Sequence, residues 1–316
     1  MVTKVFIDGQ AGTTGLEISQ RLADRADIEV VAIEESARKD AGARTEMFER
    51  CDVAILCLPD DAAREAVALA NGRCRILDAS TAHRVAPDWS YGLPELAPEQ
   101  REAIANAECV SNPGCYPQGF ILMVRPLIEA GLIPADLGLT VQAVSGYSGG
   151  GKSLIQTRRG FDDKTSQTRN VEAYALGLKH KHVPEMAHYS KTNFYPLFTP
   201  SVGHFYQGLL VQVPLFSRTL APGTTPESVQ QLLAQRYASE QFVDVAELGA
   251  DPHLEGGYLN PTACNGTNRL QIMVFGHGEQ MLLAARYDNL GKGASGAAVQ
   301  NLNLMTGVDE ATGLTS

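Results

Sequence analysis

The run Lys4-Val5-Phe6-Ile7-Asp8 passes directly into Gly9-Gln10-Ala11-Gly12-Thr13-Thr14-Gly15, and that turn into Leu16-Glu17-Ile18-Ser19-Gln20-Arg21-Leu22. Strand, glycine turn and helix in this order open a doubly wound α/β sheet, in which a dinucleotide pyrophosphate rests on the backbone donors of the helix N-terminus. The spacing is GxxGxxG where the usual fingerprint is GxGxxG. The physical demand is the same, because glycines allow the tight turn and the close approach of a phosphate. Gly9, Gly12, Thr13, Thr14 and Gly15 are therefore the candidate phosphate cradle. Apolar runs at 29–33, 53–58 and 75–78, with a helical stretch at 62–70 behind Pro59-Asp60-Asp61, continue the alternation. Such runs read as strands buried on both faces of a parallel sheet.

The loop after the second run meets the adenosine ribose in a fold of this kind. Glu34 or Glu35 is placed to accept from a free 2′-hydroxyl, whereas Ser36, Arg38 and Lys39 would surround a 2′-phosphate. Two cations and a hydroxyl in one short loop favour NADP(H).

A chain of 316 residues, 44% of them hydrophobic, is long enough for two domains with their own cores. Its net charge of −10 argues against a nucleic-acid partner and for a small-molecule one. The most apolar stretch, Phe120 to Ile133, is broken by Arg125, Pro126 and Glu129 and is not expected to span a membrane, and no secretory leader is expected before the first strand. Cysteines at 51, 57, 74, 109, 115 and 264 show neither metal-ligand spacing nor a disulfide framework. Reduced thiols, no bound metal and a cytoplasmic location are the expectation.

One of those thiols stands apart. In Val110-Ser111-Asn112-Pro113-Gly114-Cys115-Tyr116-Pro117, a cysteine is fenced by glycine and two prolines. The prolines hold a rigid, irregular turn and Gly114 lets substrate and backbone donors approach, so Cys115 is the candidate nucleophile. Further on, Gly177-Leu178-Lys179-His180-Lys181-His182-Val183-Pro184-Glu185 carries two histidines one residue apart. If extended, the segment points both imidazoles the same way, and Glu185 is placed to orient one of them. Zinc is disfavoured because no third ligand is near in sequence.

A strand at 139–144 leads into Ser145-Gly146-Tyr147-Ser148-Gly149-Gly150-Gly151-Lys152-Ser153, whose residues 146–153 match the phosphate-loop pattern GxxxxGK[ST]. No strand ending in a magnesium-binding acid accompanies it, so a glycine-rich active-site loop is the better reading. A side chain at Gly146, Gly149 or Gly150 would then crowd a nicotinamide or strain a left-handed backbone. Runs at 208–214, 270–275 and 280–286 read as strands of a second sheet and 226–238 as a helix, before a glycine-rich stretch at 289–296 feeds a C-terminal helix.

The glycine turn, Ser111-Asn112-Pro113-Gly114-Cys115-Tyr116-Pro117, His180-Lys181-His182-Val183-Pro184-Glu185 and Gly291-Lys292-Gly293-Ala294-Ser295-Gly296 together resemble the N-acetyl-gamma-glutamyl-phosphate reductases, in their shorter form. The resemblance covers essentially the whole chain. It implies a Rossmann domain over 1–114 with 290–316, and a glyceraldehyde-3-phosphate-dehydrogenase-like α+β catalytic and oligomerisation domain over 115–289. It also implies NADP(H), a small acyl phosphate substrate, no membrane partner, and a homodimer or homotetramer. The phosphate-loop lookalike corresponds to that family's Ser-Gly-rich loop beside the nicotinamide, so Ser145, Gly146, Ser148 and Gly149, with Ser80, Gly293 and Asn301, are implied cofactor contacts. Arg84 and Asn112 are implied substrate contacts, Arg84 as an anion partner. His180 is the first choice for the acid/base group and His182 the alternate. Asp78-Ala79-Ser80-Thr81-Ala82-His83-Arg84 departs from the longer form's pattern, so no role transfers to Thr81 or His83. A related dehydrogenase acting on aspartyl or aminoadipyl phosphate, a phosphate-loop NTPase and a non-catalytic NADP-binding regulator are the competing classes.

Overall fold

A computed structural model describes residues 2–316, which form two compact units: residues up to Pro113 with Ala294–Leu314, and Gly114–Gly293 with Thr315–Ser316. The divisions read from the sequence lie after residues 114 and 289.

The first unit holds β1 (Thr3–Asp8), α1 (Thr13–Leu22), β2 (Ile28–Val31), α2 (Ala41–Arg50), β3 (Val53–Leu56), α3 (Asp60–Ala70), β4 (Arg75–Asp78), β5 (Ser90–Tyr91), α4 (Gln100–Asn106), β6 (Cys109–Ser111) and the C-terminal helix Gly296–Thr306. Its strands are all parallel, in the order β2-β1-β3-β4-β6-β5. The unbroken apolar run of β1 has two destinations. Val5 and Ile7 pack with Ile18, Leu22, Val299 and Leu302 on one face, while Phe6 packs with Met47, Phe48 and Ala66 on the other. Strand order reverses between β1 and β3, and the crevice at that switch point is where such sheets bind nucleotides.

Glycines at the end of β1 are required by space. Gly9 has φ +91°, and a Cβ there would lie 2.3 Å from the Cys57 carbonyl just past β3. A Cβ on Gly15 would lie 2.6 Å from the Gly9 carbonyl, whereas Gly12, which caps α1, would meet nothing closer than 3.4 Å. Beneath the turn, Arg44 of α2 binds the Asp8 carboxylate at 2.8 Å with both groups buried.

The second unit holds α5 (Cys115–Glu129), β7 (Thr140–Gly146), α6 (Gly151–Arg159), α7 (Asp163–Thr168), β8 (Val171–Ala173), α8 (Val183–Ser190), β9 (Leu197–Gly203), β10 (Leu209–Phe216), α9 (Pro226–Tyr237), β11 (Val243–Val245), β12 (Leu270–His277) and β13 (Gln280–Tyr287). Seven strands form one mixed sheet, β11-β12-β13-β10-β7-β9-β8, with α5 and α9 packed on it. Strand β9 is not apparent in the sequence because Pro200 interrupts it. Its ladder with β8 ends at Ser201, and Pro200 lies just past it, where its carbonyl accepts the Tyr174 N–H at 3.1 Å and no N–H of its own is needed.

The structure corrects two local expectations. Cys115 does not lie on an irregular turn: it is the first residue of α5, with Gly114 as the cap. Pro117 is compatible with this because the first-turn N–H it lacks would have had no intrahelical acceptor. Nor is the histidine segment extended, since His182 caps α8 with φ −86° and ψ −11°.

Gly15→Ala should destabilise the folded chain by roughly 1–3 kcal/mol through overpacking against backbone. Gly12→Ala should cost no more than about 1 kcal/mol. Urea unfolding of the two variants beside the parent measures the difference, and equal losses would remove the steric account of the turn.

Candidate active site

In the second unit the structure brings Cys115, His180, His182, Glu185 and Gly293 to one place. Cys115 opens a helix that is buried from Tyr116 to Val124, so its side chain stands at the positive end of an oriented, desolvated dipole. Buried Glu185, in the first turn of α8, accepts the Gly114 N–H at 3.1 Å and so anchors the cap of the thiol helix. Both imidazoles pack on Tyr116, the residue after the thiol, at 5.9 Å for His180 and 5.7 Å for His182; the two rings are 4.7 Å apart. The His182 backbone N–H donates to His180 Nδ1 at 3.2 Å. An imidazole whose Nδ1 accepts carries its neutral-state proton on Nε2.

Phenols complete the surroundings. Tyr116 and Tyr174 hydroxyls are 3.0 Å apart, and Phe198 of β9 stacks edge-on against Tyr116 and His180. Burial, then the neighbouring phenol and the Cys115 charge, pushes Tyr116 well above the usual range for a phenol. Burial likewise takes Tyr174 up to about 12, with Cys115 adding to it. On another side, a Cβ on Gly293 would come 3.1 Å from the Cys115 Cβ, so a side chain there would press on the thiol carrier.

The Ser-Gly loop is built differently from a phosphate loop. N–H groups of Gly146, Tyr147 and Ser148 donate to the carbonyls of Gly208, Phe205 and Tyr206 at 2.8–2.9 Å. The early backbone donors that a phosphate loop would offer to a nucleotide are therefore bonded to another segment. Ser145 and Ser148 are buried, and Ser148 Oγ accepts from Asn289 Nδ2 at 2.8 Å. Left-handed backbone was expected at Gly146, Gly149 or Gly150 but occurs only at Gly151, φ +73°. Crowding at Gly146 comes from protein: a Cβ would lie 2.5 Å from the Tyr206 carbonyl. At Gly149 it would meet the Asn289 amide at 3.3 Å and Ser145 Oγ at 3.6 Å, both side chains.

In the first unit, Thr13 and Thr14 open α1 behind the Gly9–Gly12 turn, which is closed by Gly12 N–H donating to the Gly9 carbonyl at 3.0 Å. Ser36, Arg38 and Lys39 are exposed in the loop after β2, and Arg38 makes one loose ion pair with Glu35 at 3.5 Å. Other sequence candidates here brace the fold. Ser80 is buried and donates to Asp78 at 2.7 Å. Arg84 is buried and donates Nε to the Asn112 carbonyl at 3.0 Å, so part of its guanidinium serves the backbone ahead of Cys115. Asn112 donates to the Ala294 carbonyl, and wholly buried Asn301 donates to both Gly92 O and Asn112 Oδ1. Sequence reasoning missed the pair of His83 with buried Asp78, Nδ1 to Oδ2 2.6 Å, its ring stacked on Trp89 at 4.1 Å. Spacing within one short loop was the signal available. Missed too was Tyr287, whose contacts with α5 link residues far apart in the chain and leave no local trace.

Residues 4–106 match the family model described as semialdehyde dehydrogenase, NAD binding domain, and residues 115–289 the one described as semialdehyde dehydrogenase, dimerisation domain. The chain is 54% identical over 319 aligned positions to N-acetyl-gamma-glutamyl-phosphate reductase 2 of Nostoc sp., covering 98% of this chain and 99% of that one. It is 49% identical to N-acetyl-gamma-glutamyl-phosphate reductase of Brucella ovis, covering 97% and 100%. Among solved structures it resembles aspartate semialdehyde dehydrogenase II of Vibrio cholerae, with TM-score 0.73, 19% identity and coverage of 97% and 99%. A second is the NADP-bound aspartate semialdehyde dehydrogenase of Candida albicans, with TM-score 0.65, 15% identity and coverage of 97% and 99%. The structural likenesses carry the fold, and the sequence likenesses place the chain: it belongs to the N-acetyl-gamma-glutamyl-phosphate reductase family of semialdehyde dehydrogenases.

Proposed function

We propose that the chain reduces N-acetyl-gamma-glutamyl phosphate to N-acetylglutamate semialdehyde and phosphate with NADPH, through a thioester on Cys115, as a step of arginine biosynthesis. The observation that carries this is Cys115 at the N-terminus of a buried helix, with the cap held by Glu185 and two imidazoles on the adjoining tyrosine.

A histidine takes the thiol proton, and the sulfur attacks the acyl carbon. First-turn N–H groups of α5 stabilise the oxyanion. Phosphate leaves with the proton the imidazole carries, and the acyl group remains on sulfur. When bound, NADPH supplies the hydride that turns the thioester carbon into the aldehyde carbon. Collapse of the resulting oxyanion returns the thiolate. His182 is the better proton acceptor of the pair, because His180 already accepts a backbone N–H at Nδ1 and so presents a protonated Nε2. Glu185, placed to orient an imidazole, also anchors the helix cap by accepting the Gly114 N–H.

The cofactor fits the first unit through the form of its first turn. Gly9 and Gly15 let the turn close tightly against the Cys57 and Gly9 carbonyls at the switch point, and Thr13 and Thr14 open the helix whose N-terminus offers backbone donors to a pyrophosphate. Ser36, Arg38 and Lys39 are exposed and within one loop, as a 2′-phosphate requires. Among the described residues no helix is long and apolar enough to cross a membrane and no cysteine is disulfide-bonded. We place the reaction in the cytoplasm, in a homodimer or homotetramer assembled through the second unit.

The test is phosphate-dependent reduction of NADP by the purified chain with N-acetylglutamate semialdehyde, aspartate semialdehyde and aminoadipate semialdehyde in parallel. Turnover should be confined to the first, and preference for either of the others would reassign the substrate. Cys115→Ser should abolish turnover while leaving NADPH affinity unchanged. His182→Asn should lower kcat by about 10²- to 10⁴-fold, the range of general acid–base catalysis, and His180→Asn by less. A reversed order would return the base to His180.

Arg38→Ala with Lys39→Ala should narrow the NADPH/NADH preference by about 10- to 150-fold, corresponding to roughly 1.5–3 kcal/mol for charge-assisted hydrogen bonds. Titration of both cofactors against the double variant reads this directly. An unmoved ratio places the 2′-phosphate elsewhere.

A further inference from the structure

Tyr287 ends β13, and its phenol is wholly buried against the first turn of α5. Residues 115 and 119 are the carbonyl and N–H partners that close this turn. The phenol oxygen reaches both of them. It donates to the Cys115 carbonyl at 2.5 Å and accepts from the Gly119 N–H at 3.1 Å, with a longer contact of 3.4 Å to the Tyr116 carbonyl. Gly119 makes the approach possible: a Cβ there would lie 2.9 Å from the phenol oxygen and 3.0 Å from the Ala285 Cβ.

We propose that Tyr287 is the positioning residue of the nucleophile, its hydroxyl fixing the Cys115 carbonyl and thereby the direction in which the thiol leaves α5. This rests on the thioester reading of Cys115. It touches no reacting atom and acts through the backbone alone. Glu185 holds the Gly114 N–H on the other side of the same residue, and Gly293 closes in on the Cys115 Cβ. The thiol carrier is thus fixed before, behind and beside its Cα. Small rotations of such a group are costly, since misplacement by about 1 Å can lower a rate by about 10²-fold. The hydroxyl proton stays in place, because burial, then the Cys115 charge, holds the Tyr287 phenol well above its ordinary range.

Tyr287→Phe keeps the ring and removes only the oxygen. In the full chain we would measure kcat, KM, NADPH affinity and the pH dependence of Cys115 alkylation by iodoacetamide, with Cys115→Ser as the blank. The blank subtracts alkylation at the other thiols: burial, then Asp78 and Asp8, pushes the Cys57 thiol up to about 12, burial raises Cys109 and Cys264, and Cys74, lowered by its hydrogen bond with Cys51, is buried. The expected result is a fall in kcat of about three- to tenfold, the size of one neutral hydrogen bond. KM and NADPH affinity should stay within about twofold, as for a group acting after substrate binding. The alkylation midpoint should move to higher pH, because a thiol turned off the helix end loses the donors that favour thiolate. A merely structural role would lower the unfolding midpoint and leave that profile where it was.

Gly119→Ala is the second variant, displacing the phenol from the helix side, and should shift the profile the same way. Parental kcat and parental alkylation profiles in both variants, with Cys115→Ser inactive, overturn the positioning role alone. An active Cys115→Ser chain overturns the thioester reading beneath it.

Discussion

Helix α5 is buried along most of its length and carries two prolines, and a buried carbonyl cannot be left without a donor. That constraint organises the second unit. Pro126 has no N–H to give the Leu122 carbonyl, and the Tyr237 hydroxyl at the end of α9 supplies the missing donor at 2.8 Å. At the other end no carbonyl is orphaned by proline, and the Tyr287 hydroxyl instead bridges the Cys115 carbonyl and the Gly119 N–H. Two tyrosines from distant parts of the chain therefore complete one helix. The helix in turn holds the thiol against α8 and the sheet.

How much of this was legible depends on whether the signal was local. Strand, glycine turn and helix occupy consecutive residues, so Gly9 to Gly15 announced the nucleotide unit. Parallel strands buried on both faces read as continuous apolar runs and were equally plain. Pro117 misled, because proline reads as a helix breaker; only the helix-start position, where an N–H has no acceptor, makes it neutral. His180 and His182 were found as a pair, but the hydrogen bond from the His182 N–H to His180 Nδ1 is made by folded backbone, which residue spacing does not encode. Arg84 and Asn112 were picked out by their place beside the cysteine motif, but their backbone hydrogen bonds have no sequence signal. Both brace the backbone ahead of the thiol.

The segment at 146–153 shows why a pattern of letters is weaker evidence than the destination of its backbone donors. GxxxxGK[ST] binds phosphate only if the N–H groups of the loop point at the ligand. Those of Gly146, Tyr147 and Ser148 are bonded to the 205–208 segment. Glycine is needed at 146 for that close approach to the Tyr206 carbonyl, a packing reason. Conversely, the turn at 9–15 departs from the usual spacing, yet Gly9 and Gly15 meet the steric demand of a nucleotide turn.

The phenols around Cys115 set the electrical character of the site. Tyr116 and Tyr287 ionise well above the ordinary phenol range and Tyr174 at about 12, in each case chiefly because burial penalises the charged form. For an acid raised on folding, the stability it contributes is complete below the unfolded value, about 10 for tyrosine, and is lost as pH climbs through the folded value. All three phenols therefore remain neutral donors across the range in which a thiol, ordinarily near 8.5, gains and loses its proton. Neutral phenols therefore surround the sulfur whichever state it is in. The same burial that makes phenolate costly leaves the hydroxyl of Tyr287 available to the carbonyl that carries the nucleophile.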